Sequence, residues 1–383
     1  MPATKSYADR VLPVPLLEEV DRALAELAPT VRLLAAVTPI NARAEGLRLR
    51  SAFAAGGEAL PRWRYATPAA PPLARLERLS RLVGRCDGSL VGLYAARIDE
   101  LTLETRMIEA VGTPAFGALA RERFRGREAD EREADQLAGR WGLEVLPPDR
   151  GPLRATDGDD ARCLLPRMRR ELARLGLSFE VRMVADLASL AATGAHAIYV
   201  ASGRSISDAV ARRTVLHEVH GHAVPRARAR SSPLRLLGAG TAGAHDQQEG
   251  FAIVLEERGR FLGASRRAEL ARRHGAVRAM QEGATFVDVV RWLCRERGAA
   301  SDEAVAIALR AFRGADGVHP GLGRERVYLP SFVRVRAHLA AHPDDEAVLA
   351  SGQVSIDAVP LLRGFVTFRA DTPSPSRRPS PPP

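Results

Sequence analysis

Residues 205–225, SISDAVARRTVLHEVHGHAVP, concentrate side chains that could bind a metal ion and hydrolyse a bond. The segment holds three of the nine histidines, His217, His220 and His222, and Glu218 directly follows the first of them. Neutral imidazoles are common zinc ligands, and a carboxylate beside them can take a proton from a metal-activated water. This combination predicts a hydrolytic metal site carried by one helix.

The spacing of the outer two histidines differs from that of the familiar zinc proteases, which place them four positions apart. Here His222 is the fifth residue after His217, which makes the pattern HExxxH. An ideal α-helix turns about 500° over five residues, so the two side chains would point about 140° apart and could not share one tetrahedral ion. We therefore predict a local i to i+5 turn, which Gly221 hinders least. His220, about 60° from His217, remains an alternative second ligand.

A catalytic zinc ion needs a third protein ligand and one position open for water. The next acidic helix, AHDQQEGFAIVLEERGRFL, contains Glu249 near its start and Glu256 and Glu257 further on. We predict Glu249 as the ligand, because Gly250 and Ala252 would let this helix approach the first one closely. Glu256 and Glu257 suit a solvated face or salt bridges, and either one remains an alternative ligand.

The elements around these motifs predict an α+β protein that is predominantly helical. Ser207 is the expected N-cap of the motif-bearing helix, and Pro225 is its expected stop. Strand-like runs near 177–184 and 196–202 precede that helix. A further helix is expected within 161–175, starting beyond Pro166.

The chain divides into three predicted portions. Apolar residues return every three or four positions up to about Gly142, which predicts a helical N-terminal portion, 1–150, packed on the rest. The catalytic portion is expected to span 151–370. The Pro- and Ser-rich tail, 371–383, has almost no apolar content and is predicted to be disordered.

Composition limits the classes of protein that the chain can belong to. Of 383 residues, 46% are hydrophobic, which is enough for a large core, and no apolar run approaches the length of a membrane span, about 18 residues. The first residues carry acids and prolines where a secretory signal needs an apolar stretch, so we expect a cytoplasmic protein. Three cysteines without a CxxC pair argue against a disulfide framework and against a cysteine metal site.

The net charge of +10 raises the question of a polyanionic partner. Only Lys5 among the 56 basic residues is a lysine, and the other 55, all arginines, are scattered among acids along the chain. Together with many alanines, glycines and prolines, this pattern is typical of a codon-biased genome. Nucleic acid is therefore not expected as a partner.

The motifs HEVHGH and QEGFA resemble those of the family that contains the microtubule-associated tyrosine carboxypeptidases and their bacterial relatives, which are known for a QEGLA motif. The blocks RAFRG, HPGLGRERVYLPSFVRV and SGQVSIDAVPLLR look like downstream blocks of the family, and IDELTLETRMIEAVGTPAF looks like an upstream one. The resemblance covers roughly residues 90–365. Phe251 replaces the leucine of the named motif, and His220 stands where relatives carry Gly or Thr nearby.

The resemblance implies a zincin-like, gluzincin-type zinc metallopeptidase with a small sheet beside the zinc helix. It implies one Zn²⁺ held by His217, His222 and Glu249, with Glu218 as the catalytic glutamate. The expected reaction removes a C-terminal residue, such as Tyr or Phe, from a peptide or protein.

A carboxypeptidase must also bind the terminal carboxylate of its substrate, for which a bidentate arginine is well suited. Arg313 in FRG is the candidate for this role, and Tyr328 in VYLP is the candidate donor to the oxyanion or the substrate. Two other classes stay open: a zinc-binding regulatory or nucleic-acid-binding protein without peptidase activity, and a metal-binding pseudoenzyme. The oligomeric state has no signature in the sequence.

Overall fold

The computed structural model describes residues 15–67, 72–144, 152–185, 187 and 189–366. Most of this length is helical and small sheets interrupt it, which confirms the predicted α+β class. The α-helices are α1 (Pro15–Leu27), α2 (Leu33–Ala36), α3 (Ala42–Ala54), α4 (Leu73–Val83), α5 (Val91–Glu109), α6 (Phe116–Arg123), α7 (Glu128–Trp141), α8 (Leu164–Arg174), α9 (Asp208–Val215), α10 (Val224–Arg230), α11 (Leu236–Ala239), α12 (Ala244–Arg258), α13 (Ala264–Gln281), α14 (Phe286–Arg297), α15 (Ser301–Ala311), α16 (Tyr328–Ala341), α17 (Asp345–Leu349) and α18 (Val359–Leu362). Short 3-10 turns cover Ala28–Thr30, Arg324–Val327, Ile356–Ala358 and Arg363–Phe365.

The described strands form two small sheets. They are β1 (Leu153–Ala155), β2 (Glu180–Val184), β3 (Ala191–Thr193), β4 (Ala197–Ala201) and β5 (Ser205–Ser207). β1 pairs antiparallel with β5, while the three-stranded sheet has the order β2-β4-β3, with β4 parallel to β2 and antiparallel to β3. β2 and β4 are the two predicted strands, and the other three were not predicted.

Of the helix boundaries predicted at Pro166, Ser207 and Pro225, only the one at Ser207 is confirmed. Ser207 caps α9, and its side chain accepts a first-turn backbone N–H at 3.4 Å. However, α8 begins before Pro166, and Pro225 lies in the first turn of α10 instead of stopping the helix. Prolines are tolerated in a first turn because the N–H that they lack has no helical partner there. The backbone therefore follows one helical path over 208–230, with a π-helical segment, Leu216–Ala223, in its middle.

A buried apolar cluster joins the three-stranded sheet to this π-helical segment. Met168 of α8, Ile198 and Val200 of β4, and Val219 and Ala223 of the segment all lie in it, and none of the five is exposed to solvent. Burial of such side chains stabilises the contact by roughly 1.5–3 kcal/mol each. The apolar side of the segment packs against the sheet, and this contact fixes the rotation of the segment about its own axis.

Helix α12 crosses the π-helical segment and packs along α16. Every residue from Gln247 to Glu256 is buried. A Cβ on Gly221 would lie 2.6 Å from the Cβ of Ala252, so Ala252, one of the two small residues predicted for this contact, meets Gly221 of the segment. Gly250 does not take part in that contact: a Cβ there would lie 2.3 Å from the backbone of Ser331, so this glycine admits α16 instead.

Two further cores hold the remaining helices together. The larger one combines the N-terminal helices with α12 and α16, and it includes Tyr94, Leu101 and Phe332. The other lies between α3, α13, α14 and α15, around Phe286 and Phe312. The helical N-terminal part therefore shares buried surface with the helices that carry the candidate site.

The predicted disordered tail, 371–383, lies outside the described residues, and so does residue 150, where the predicted N-terminal portion ends. Across the part of the chain that is described, none of the helices has both the length and the apolar character needed to cross a bilayer.

Candidate metal centre

The π-helical segment brings the two outer histidines onto one side of the helix. The ring centroids of His217 and His222 lie 5.1 Å apart, although an ideal α-helix would turn them away from each other. The predicted i to i+5 turn is therefore present. Wider turns of this kind recur at functional sites, where they place side chains that a regular helix would separate.

Glu249 of α12 completes a cluster with these histidines. Its Oε2 lies 3.4 Å from Nε2 of His217 and 3.7 Å from Nε2 of His222. One possible ligand atom from each of the three residues lies within 4.8 Å of the other two. Two donors bound at about 2.0–2.1 Å to one tetrahedral ion would be roughly 3.3–3.5 Å apart, so this donor set and its spacing suit zinc.

Hydrogen bonds and opposite charges hold the three side chains of the cluster together. Burial opposes protonation of His217, yet the hydrogen bonds to Glu249 and Glu256 raise its pKa to about 10. Burial likewise opposes ionisation of Glu249, but His217 and His222 hold its pKa well below the ordinary value. A metal ion held by these three side chains would require the neutral form of His217.

Glu256 lies beside the cluster and contacts the other nitrogen of His217. Its Oε1 lies 2.7 Å from Nδ1 of His217, and Arg266 holds the same carboxylate with two contacts of 2.9 and 3.0 Å. A carboxylate on Nδ1 fixes the orientation of the ring, and in the neutral ring it would leave Nε2 free to bind a metal ion. Glu257 lies away from the site, with its Oε1 3.5 Å from Nη1 of Arg336.

We expect Glu256→Gln to weaken zinc binding by about 10–100-fold, because the neutral amide orients His217 less firmly and makes it less basic. Competition with a chelator of known affinity measures the change. Glu257→Gln, which alters the adjacent, partly exposed acid in the same way, is the matched control and should bind zinc like the wild type. Equal affinities for the two variants would contradict the orienting role.

Glu218 approaches the site from the same segment as the two histidines. Its side chain is only 8% exposed, and its Oε2 accepts a hydrogen bond of 2.8 Å from Oγ1 of Thr193. Thr193 belongs to β3, so the small sheet positions this carboxylate. Glu218 is not one of the three clustered residues.

His220 points away from the cluster. Its Nε2 lies 2.7 Å from Oε1 of Glu171 on α8. The hydrogen bonds from His220 and Arg174 lower the pKa of Glu171 to about 2. This histidine therefore ties the segment to α8, and the structure does not bring it together with His217 and Glu249.

Tyr328 stands at the start of α16, close to the charges of the cluster. Burial raises its pKa to about 12, and the carboxylates of Glu249 and Glu325 add to that effect. The guanidinium of Arg273 lies 5.9 Å from the centre of its ring. No described residue forms a hydrogen bond with the hydroxyl, which stays protonated at neutral pH and can donate to a ligand.

Arg313 lies half-buried just beyond α15. Its Nε donates to the backbone oxygen of Arg310 at 3.4 Å, and within the described residues no carboxylate forms an ion pair with it. Burial, together with the charge of Arg310, lowers its pKa to about 10. Tyr328 and the charged Arg324 are among the groups that act on this pKa, so the structure places Arg313 on the α16 side of the site.

The family model for the microtubule-associated tyrosine carboxypeptidases matches residues 51–368. The chain belongs to this family. The matched residues extend beyond both ends of the range, roughly 90–365, over which the motifs resemble the family. The family is named for a carboxypeptidase, which is a hydrolase. A search of curated proteins found no match to the chain.

Three residues inside the range matched by the tyrosine carboxypeptidase family contribute to the site without having been predicted. Thr193 contacts Glu218, as described above. Arg324 places its Nη2 3.1 Å from Oε1 of Glu249, the oxygen remote from the two histidines. Arg226 interacts electrostatically with both acids. Only Arg226 has a signal in the sequence, because it follows His222 by four residues and so extends from the same face of the helix.

Proposed function

We propose that this chain is a zinc-dependent metallocarboxypeptidase with a zincin-like, gluzincin-type site. His217, His222 and Glu249 hold one Zn²⁺. The observation that carries the proposal is the convergence of these three side chains, with Glu218 beside them, in a chain of a carboxypeptidase family.

The chemistry requires a proton acceptor next to the attacking water. Bound zinc supplies a water of lowered pKa and polarises the scissile carbonyl. Glu218 takes the proton from the attacking water and delivers it to the leaving amine, so the peptide C–N bond breaks as the new C–O bond forms. The hydrogen bond from Thr193 orients the carboxylate for both transfers.

Tyr328 and Arg313 would interact with negatively charged groups of the substrate. The Tyr328 hydroxyl donates to the carbonyl oxygen as negative charge develops on it. Arg313, which has no acidic partner among the described residues, offers a positive charge on the α16 side. The substrate is the C-terminus of a peptide or protein, and we propose tyrosine or phenylalanine as the favoured last residue, in line with the family name.

A peptide library tests this function directly. Peptides that differ only in their C-terminal residue are incubated with the zinc-loaded protein, and mass spectrometry records which of them lose one residue. We expect release of a single C-terminal residue, fastest for Tyr and Phe, and no release after zinc is removed with a chelator.

The matched control is a set of cyclic peptides of the same sequences, which contain the same internal peptide bonds but have no free C-terminus. These peptides should stay intact. Stable zinc binding without release from any linear peptide would contradict the peptidase proposal and favour a regulatory role.

A further inference from the structure

Arg226 lies next to the three clustered side chains, and no acid among the described residues forms an ion pair with its guanidinium. It lies in α10, four residues after His222, so its Cα stands one helical turn further along the same side. Its Nη1 is buried and makes no hydrogen bond with any described residue. A buried N–H without a partner is costly, and native structures rarely leave one without a reason.

Two acids of the candidate site, Glu218 and Glu249, lie near Arg226. Burial lowers its pKa, while the carboxylates of Glu218 and Glu249 act in the opposite direction, so both acids lie close enough to attract it. Neither forms an ion pair with it, although Arg324 does pair with Glu249. The guanidinium is therefore beside the reacting groups and still has hydrogen-bond donors to offer.

The imidazole of His245 also lies near enough to Arg226 to feel its charge. His245 lies one turn before Glu249 on α12, and no described residue forms a hydrogen bond with its ring. Burial, followed by the charges of Arg97 and Arg226, holds its pKa well below the ordinary value, so the ring is neutral. A neutral ring and an unpaired guanidinium together suit an anionic group of the substrate.

We infer that Arg226 binds the terminal carboxylate of the substrate and so makes the enzyme cleave at chain ends. This inference rests on the proposed function. The terminal carboxylate lies one residue, about 3.5 Å, beyond the carbonyl that is attacked. The cation that binds it must therefore stand close to Glu218, and a guanidinium matches the two carboxylate oxygens with parallel N–H donors.

Arg313 satisfies this distance argument less well than Arg226. The titratable groups that act most strongly on its pKa are Arg310, Glu325, Arg324 and Tyr328, and Glu218 is not one of these four. Among the charged groups, Glu218 has the largest effect on the pKa of Arg226. The inference therefore moves the carboxylate-binding role from the α16 side of the site to the helix that carries the motif.

The test measures binding and does not depend on turnover. In a zinc-loaded Glu218→Gln background, calorimetry compares two tyrosine-terminated peptides that differ only in a free or amidated C-terminus. We expect the free acid to bind roughly 10- to 100-fold more tightly, as for a hydrogen bond between charged groups. Adding Arg226→Gln should remove this preference without changing the affinity for the amide.

Three further variants sharpen the result. Arg230→Gln changes an exposed arginine of the same helix and should keep the preference. Arg226→Lys keeps the charge but not the fork, so it should retain part of the preference, and it covers the case in which the glutamine variant does not fold. Loss of the preference in Arg313→Gln, with Arg226→Gln unaffected, would overturn the inference, as would a parent protein that binds acid and amide equally well.

Turnover by the wild-type protein separates this inference from the proposed function. Preferential binding of the free acid without any hydrolysis would contradict the peptidase while leaving the role of Arg226 in place. Hydrolysis at equal rates of free and amidated ends would support the peptidase and overturn the role of Arg226.

Discussion

A Glu218→Gln protein should bind zinc as the wild type does, while its kcat for release of a C-terminal residue falls by about 10²–10⁴-fold. The amide has nearly the shape of the carboxylate and can still accept the hydrogen bond from Thr193. It cannot take a proton from the attacking water. The measurement pairs steady-state hydrolysis of a tyrosine-terminated peptide with zinc content by mass spectrometry.

The same substitution at Glu257 serves as the control, because that acid is partly exposed and its Oε1 lies 3.5 Å from Nη1 of Arg336. Its kcat should equal that of the wild type. Two outcomes would oppose the proposed proton transfer: comparable hydrolysis by Glu218→Gln, or a loss of zinc in parallel with activity, which would make Glu218 part of the metal site.

The geometry of the motif could be predicted from the sequence because it depends on angles within one helix. The HExxxH spacing puts His217 and His222 too far around an α-helix to share an ion, and Gly221 lets the backbone widen between them. No knowledge of the neighbouring elements enters this argument. Glu249 could also be predicted as the third ligand. Spacing alone left Glu249, Glu256 and Glu257 as candidates, and the resemblance of the QEGFA motif to the family favoured Glu249.

The partners of the cluster could not be predicted, because they are products of tertiary packing. Arg324 is one of 55 arginines, and nothing local distinguishes it from the rest. Glu256 looks like a surface acid next to Glu257, yet α13 buries it against Arg266 and His217.

The small strands escaped prediction for a different reason. β1, β3 and β5 have three residues each, which is too few for an alternating pattern to emerge. β3 nevertheless matters for the site, because it carries Thr193. A short element without a sequence signal therefore holds the proposed proton acceptor in place.

Loss of any one of the three clustered side chains should cost the protein its zinc. His222→Ala removes one of the two imidazoles and leaves two protein ligands, too few for a stable tetrahedral site. We expect zinc affinity to fall by more than about 100-fold, which exceeds the effect of losing a group that only orients a ligand. Zinc content after dialysis and the shift in melting temperature on adding zinc both measure the loss, since a ligand stabilises only the fold that binds it.

His220→Ala is the matched control, because His220 belongs to the same π-helical segment but contacts Glu171 at 2.7 Å. It should keep a full equivalent of zinc, although the lost contact with α8 lowers its melting temperature. The contrast between the two variants depends on the widened turn: in a regular α-helix His220 would stand nearer to His217 than His222 does. Zinc retained by His222→Ala and lost by His220→Ala would therefore reverse the ligand assignment.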